Sequence, residues 1–244
     1  MNKEVVYIAE LDADVDDVIA AEYLHNKGVL KCVVLDPIPK TDIGRQRVLD
    51  LQEVGITVLK KMPPVVKFVF VGGALSVVSS YIINHHIEAL VMNGGFVGNN
   101  IVNQNDQLDK FKGKRTIRTF NFNCDVTAAD RVLRSNSNQI GKVILIGKNV
   151  CHSIKNTELG FWKDKEFADL FKKYHVKPGK RQHDMLACHE GLVLLGLINE
   201  KLFVDEYSNV KPYNTGLRGS NTEWGSTVVS DSSTPYRSVL AAIS

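Results

Sequence analysis

An apolar run that ends in a burst of acid is the feature that most limits how this chain folds. Residues 5–9, Val-Val-Tyr-Ile-Ala, lead straight into Glu10, Asp12, Asp14, Asp16 and Asp17, five carboxylates in eight positions. A short β-branched and aromatic run closed by turn-forming acids reads as a buried strand that stops at a loop. Carboxylates crowded at a strand end repel one another unless a positive object sits among them. The simplest such object is a hard, oxygen-seeking cation, Ca²⁺ or, as the alternative, Mg²⁺. The bland reading is an acidic turn that caps the following helix. That reading suits one acid; five at one strand end point to a site.

The rest of the chain alternates apolar strand patterns with helical ones. Strands are expected at 30–35, 56–59, 65–71, 90–92 and 143–146, and helices at 17–26, 41–53, 74–86, 127–135, 156–175 and 183–197. Residues 99–118 are polar and basic and read as a long excursion, and 226–230 as a short strand-like piece. The alternation predicts an α/β fold: a mainly parallel, Rossmann-like open sheet with helices on both faces, in one domain over 1–244. Ligands bind such sheets beyond the carboxyl ends of the strands. The acidic loop, Asp36, Gly72-Gly73, Asn93-Gly94-Gly95 and Asn149 all follow strands and are expected to converge there.

Composition narrows the function classes. At 44% hydrophobic, 23% charged and net charge +3, the chain has the balance of a soluble globular domain. Lysine and arginine gather at 110–118 and again at 172–181 without any nucleic-acid recognition motif, so they read as solvated faces and no nucleic-acid partner is expected. None of the four cysteines forms a Cys-x-x-Cys pair, which argues against a zinc knuckle. No signal peptide and no membrane-length apolar stretch is seen, so a reducing cytoplasm without a membrane partner is expected.

Several segments together resemble a known family. Glu-Leu-Asp-Ala-Asp-Val-Asp-Asp (10–17) resembles the Asp-x-Asp-Pro-Gly-x-Asp-Asp signature of inosine–uridine-preferring nucleoside hydrolases. Val-Met-Asn-Gly-Gly (91–95), Thr-Phe-Asn-Phe-Asn-Cys-Asp-Val-Thr-Ala-Ala (119–129) and Gln-His-Asp-Met-Leu-Ala (182–187) resemble, in order, three later motifs of that family. The resemblance implies the nucleoside hydrolase fold and hydrolysis of the N-glycosidic bond of a ribonucleoside or related riboside, with Ca²⁺ as cofactor. It implies Asp12 as a metal ligand and as the base that deprotonates the attacking water. Asp17 and Asp184 would be further ligands, joined by the main-chain oxygen of Cys151. Asp16, Asp36, Asn99, Asn100, Thr119 and Asn121 would bind the sugar, and His183 would protonate the departing base. A homo-oligomer, dimer or tetramer, is also implied.

The departures fall on contacts to the substrate. Thr119 replaces a glutamate, Asp36 an asparagine, and Ala13-Asp14 the Pro-Gly of the signature; residues 56–68 look cut down. A sugar modified at its 5-position, or a riboside that is not a nucleoside, therefore stays open. The chemistry suits the residues. Water must become nucleophilic near neutral pH, the vicinal diol must be held, and the leaving base needs a proton.

Two other readings stay open. Asp12-Ala13-Asp14-Val15 after a strand also suits a haloacid dehalogenase-like, Mg²⁺-dependent phosphatase with Asp12 as nucleophile. That reading leaves Asn121 and His183-Asp184 unexplained. The other is a protein that binds Ca²⁺ and ribose without turnover. Taken alone, His183-Asp184 reads as a helix cap beside a surface histidine.

Overall fold

The computed structural model describes residues 4–96, 109–114, 117, 119–152, 165–177, 182–198, 211–216 and 238–243. In chain order the elements are β1 (Val5–Ala9), α1 (Asp16–Asn26), β2 (Leu30–Leu35), α2 (Asp42–Glu53), β3 (Val58–Leu59), β4 (Phe68–Val71), α3 (Ser76–Tyr81), β5 (Ile87–Asn93), α4 (Phe120–Cys124), α5 (Val126–Leu133), β6 (Ile140–Ile146), α6 (Lys148–Cys151), α7 (Lys165–Lys173), α8 (His183–Leu194), β7 (Lys211–Gly216) and β8 (Ser238–Ile243). A 3₁₀ turn at Asp109–Phe111 precedes α4.

The eight strands form one sheet in the order β3-β2-β1-β4-β5-β6-β8-β7. All neighbours pair in parallel except β7 with β8, an antiparallel edge. This is the expected open, mainly parallel α/β sheet.

Alternation within β1 shows why the sheet is covered on both sides. Val5, Tyr7 and Ala9 belong to one hydrophobic cluster, with side chains of α1, α7 and α8. Val6 and Ile8 belong to the other, with Val78 of α3 and Val132 of α5. All five β1 residues are fully buried. Burying each large aliphatic side chain contributes about 1.5–3 kcal/mol. A slip of one residue would exchange every side chain between the two layers, so the register is strongly fixed. The place where the acidic loop begins is fixed with it.

Several boundaries differ from expectation. The helix expected at 74–86 is the six-residue α3, which gives way to turns after Tyr81. The strands expected at 90–92 and 143–146 begin earlier, at Ile87 and Ile140, where each pairs with the other in register. The short helix α4 is not among the expected elements. Residues 226–230 lie outside the described residues. Asp125 caps α5, accepting from the Ala128 amide at 2.9 Å.

Two long helices carry the site. α1 and α8 lie side by side on one face of the sheet. The buried pair Tyr23 Oη and His189 Nδ1, 2.6 Å apart, locks one against the other. His189 is a core residue with a polar task. Glu22, also buried on α1, accepts from Lys173 Nζ at 2.5 Å and from the Tyr174 hydroxyl, which ties α7 to the same helix.

Candidate active site

Five parallel strands end at one edge, and the segments just beyond their carboxyl ends line a single cavity of about 350 Å³. β1 leads into Glu10, Asp14, Asp16 and Asp17, β2 into Asp36, β4 into Gly72-Gly73, β5 into Asn93-Gly94, and β6 into Lys148, Cys151 and His152. Thr119, Phe120, Asn121, His183 and Asp184 complete most of the lining. In strand order, β1 starts one wing and β4 the other, so the acidic loop sits at the switch point where such sheets take ligands.

The acids are not helix caps. α1 has Val15 at its N-cap and α8 has Gln182, and neither makes a side-chain capping bond. Asp16 and Asp17 lie in the first turn of α1, and Asp184 in the first turn of α8. The positive ends of two helix dipoles are thus directed at the same carboxylates.

Asp16, Asp17 and Asp184 each offer an oxygen within 4.8 Å of the others. Asp17 and Asp184 are 4% exposed and Asp16 is half-buried. Tyr7 Oη donates to Asp17 Oδ1 at 2.6 Å, and Asn93 Nδ2 donates to Asp184 Oδ1 at 2.6 Å. Burial, then the charge of Asp16, holds the Asp17 carboxyl well above the usual range against the opposing pull of the Tyr7 bond. Burial followed by the charges of Asp16 and Asp17 does the same to Asp184. Asp16 is raised chiefly by burial, while a hydrogen bond from Asp184 opposes the shift. Three carboxyl groups at this spacing, two of them buried and one half-buried, cannot all be ionised without a cation. Hard oxygen donors in this number suit Ca²⁺ or Mg²⁺. The donor set therefore fits the expected ion through Asp16, Asp17 and Asp184.

One expected residue is elsewhere. The Asp12 carboxylate does not line the cavity. It accepts from the Lys40 amide at 2.9 Å, from the Thr41 amide at 3.0 Å and from Thr41 Oγ1 at 2.6 Å. Thr41 in turn caps α2. These bonds, led by the Thr41 hydroxyl, lower the Asp12 carboxyl below its ordinary range. Assigning Asp12 as metal ligand and base is thus corrected: in this chain it anchors the start of α2. Ala13-Asp14 in place of a Pro-Gly turn, and Glu10 accepting from the Asp12 and Ala13 amides at 2.8 and 3.1 Å, give the loop a different internal bonding.

Other expected residues are in the cavity with narrower roles. Asp36 lines it, but its Oδ2 accepts from the Val77 amide at 3.0 Å. Burial raises the Asp36 carboxyl. Asn121 spends its amide nitrogen on the carbonyls of Gly72 (2.7 Å) and Asn93 (2.6 Å), so Oδ1 is the atom it can offer a ligand. Cys151 lines the cavity with its thiol directed to Asn93 Oδ1 at 3.6 Å. Thr119 is a buried part of the wall, and its Oγ1 has no hydrogen-bond partner among the described residues. Asn99 and Asn100 lie outside the described residues.

Two residues went unmarked as site members in the sequence: Tyr7, which holds Asp17 as Asn93 holds Asp184, and His152, which forms part of the wall beside His183, ring centroids 5.4 Å apart. Tyr7 could have been noticed as the one hydroxyl-bearing side chain in the apolar first strand.

Gly72 shows how tightly the site is built. A Cβ there would stand 2.2 Å from Tyr7 Oη and 2.3 Å from Asp17 Oδ1. Gly72→Ala is expected to displace both groups and to cost about 1–3 kcal/mol by overpacking. The check is a urea melt together with a calcium titration, and calcium should bind the variant at least tenfold more weakly. Unchanged calcium affinity would remove Asp17 from the ion site.

No family model matches the chain. It is 30% identical over 167 residues to an uncharacterized protein of Aquifex aeolicus (strain VF5), a match covering 64% of this chain and 53% of that one. The chain thus spans about half the length of this relative. Among solved structures, the crystal structure of the effector protein XOO4466 resembles it over 100% of this chain and 88% of that one, with a TM-score of 0.53 and 11% identity. That likeness is one of fold. No helix among the described residues is long and apolar enough to cross a membrane.

Proposed function

We propose that the protein hydrolyses the N-glycosidic bond of a riboside, with a divalent cation, Ca²⁺ or Mg²⁺, held by Asp16, Asp17 and Asp184. The observation that carries this reading is the meeting of acids from two distant segments, within 4.8 Å of one another, on the floor of a cavity that His183 also lines. The resemblance to nucleoside hydrolases supports it. When bound, the dication supplies Lewis acidity to a water and ligand positions for a vicinal diol.

The chain's own residues do the rest. Tyr7 and Asn93 fix Asp17 and Asp184 by hydrogen bonds, so these two act as rigid holders. Asp16 is the half-buried, cavity-facing member, and with Asp12 diverted it takes the proton from the attacking water. Asn121 Oδ1 accepts from a sugar hydroxyl. The cluster, net negative even with a dication, favours the positive charge that develops on the sugar as the bond to the base lengthens. His183 gives the departing base its proton. The four cysteines are free thiols, which suits a reducing compartment such as the cytoplasm.

The test is release of reducing sugar from a panel of ribonucleosides. Release is expected with calcium or magnesium, and chelation should lower it at least a hundredfold. Sugar release that persists under chelation would defeat the proposal. A second reading, binding of ion and sugar without turnover, is favoured by one observation, the diversion of Asp12 to Thr41. Under that reading calcium and ribose bind together and no sugar is released.

A further inference from the structure

The cavity has a charge gradient along the sheet edge that hydrolysis of a neutral nucleoside does not need. Five of its acids follow β1 and β2, whereas Lys148 and His152 follow β6. β1 and β6 are three strand spacings of about 4.8 Å apart, roughly 14 Å. Asp184 stands between these ends, bonded to Asn93 at the end of β5.

The β6 end is built from ordered side chains. Lys110 Nζ lies 2.8 Å from His152 Nδ1. An ammonium can only donate, so Nδ1 accepts and the ring's proton sits on Nε2. The His152 ring also packs against Phe111 (5.5 Å between centroids) and His183 (5.4 Å), and Phe111 meets Phe96 edge-on at 5.2 Å. Lys110 is exposed and lies outside the lining, but its bond to His152 sets a second cation directly behind that wall. The wall presents one lysine in the lining, a second lysine behind His152, and an imidazole set as a donor. Thr119, buried in the same lining, adds a hydroxyl and no negative charge.

We propose, on the sugar-site reading above, that the cavity takes an anionic riboside. The vicinal diol faces Asp16, Asp17 and Asp184, and a phosphate on the sugar's primary carbon meets the Lys148–His152 wall. Charge-assisted hydrogen bonds from a lysine and a fixed imidazole N–H select such a group over a neutral hydroxyl.

Titration calorimetry in calcium tests this with pseudouridine, whose C–C glycosidic bond cannot be hydrolysed, with its 5-phosphate, and with orotidine, which carries its carboxylate on the base. Wild type, Lys148→Met and Lys148→Arg are compared, each shown to be folded by circular dichroism. The phosphate ester is expected to bind about ten- to a hundredfold tighter than pseudouridine. Lys148→Met should bring the two within about twofold, and Lys148→Arg should keep most of the preference. Equal affinities in wild type, or a preference that survives Lys148→Met, overturn the proposal. A preference for orotidine over the phosphate ester overturns its placement on the sugar. Phosphate selection that is unchanged when calcium is chelated leaves the anion wall standing and overturns the ion–diol reading beneath it. Failure of all three ligands to bind overturns both.

Discussion

Asp184→Asn is expected to make the metal-free protein more stable at pH 7 and to abolish its response to calcium. The two effects have one cause. Without a cation, Asp16, Asp17 and Asp184 crowd three carboxyl groups into a buried space with ligand atoms within 4.8 Å of one another. Burial and mutual repulsion hold Asp17 and Asp184 well above the ordinary range. The native form thus keeps protons that the unfolded chain gives up once pH passes about 4. Stability of the metal-free protein must then fall as pH rises from there through the raised native values. An asparagine at 184 keeps the shape, can still accept from Asn93, and removes one of the repelling groups. The expected gain is about 1–3 kcal/mol at pH 7, roughly 2–12 °C in Tm for a chain of this size. Wild type should gain about 4 kcal/mol from calcium at a thousandfold excess over Kd. The variant, short of one ligand, should gain less than a quarter of that. Scanning calorimetry at pH 5 and pH 7, with and without calcium, reads all of these terms. Equal stabilisation of both proteins by calcium would place the ion elsewhere.

Much of this was legible in the sequence, and the reasons are local. The five apolar residues before Glu10 fit only a strand buried on both faces, and the strand carries its acidic loop to the sheet edge. Parallel pairing then forces Asp36, Gly72, Asn93 and Lys148 to the same edge, so residues far apart in sequence became neighbours by topology alone. Asp17 was legible for that reason, whereas Asp184, in the first turn of α8, came only from the resemblance of residues 182–187. The direction of a side chain within the loop was not. Asp12 could turn toward the sheet edge or toward residues 40–41, and the pattern of residues is the same either way. Three hydrogen-bond donors at Lys40 and Thr41 decide it. The second tier was hidden as well. Tyr7 looked like a core aromatic and Asn93 like a turn former, because hydrogen bonds that orient a carboxylate leave no spacing signature. The pairing of the exposed Lys110 with His152 was hidden because His152 is supplied from beyond β6.

A pair of variants separates the observed loop from the one the sequence suggests. Asp16→Asn is expected to lower turnover about a hundred- to ten-thousandfold, the range for losing a positioned base. Asp12→Ala is expected to keep turnover within about threefold while losing roughly 1–2 kcal/mol of stability, because the Thr41 and Lys40 bonds go with it. The stability loss should itself vanish at low pH. The folded Asp12 carboxyl lies below its ordinary value, so its contribution is present above about pH 4 and fades as pH drops through the lowered native value. Initial rates of sugar release in saturating calcium, with urea melts at pH 3 and pH 7, measure each quantity. Calcium affinity must be measured alongside, since Asp16 also offers a ligand atom. A loss of turnover at full calcium occupancy assigns it the proton. Turnover in Asp12→Ala that falls as far as in Asp16→Asn would mean that Asp12 leaves Thr41 during the reaction, and would return to it the role of base.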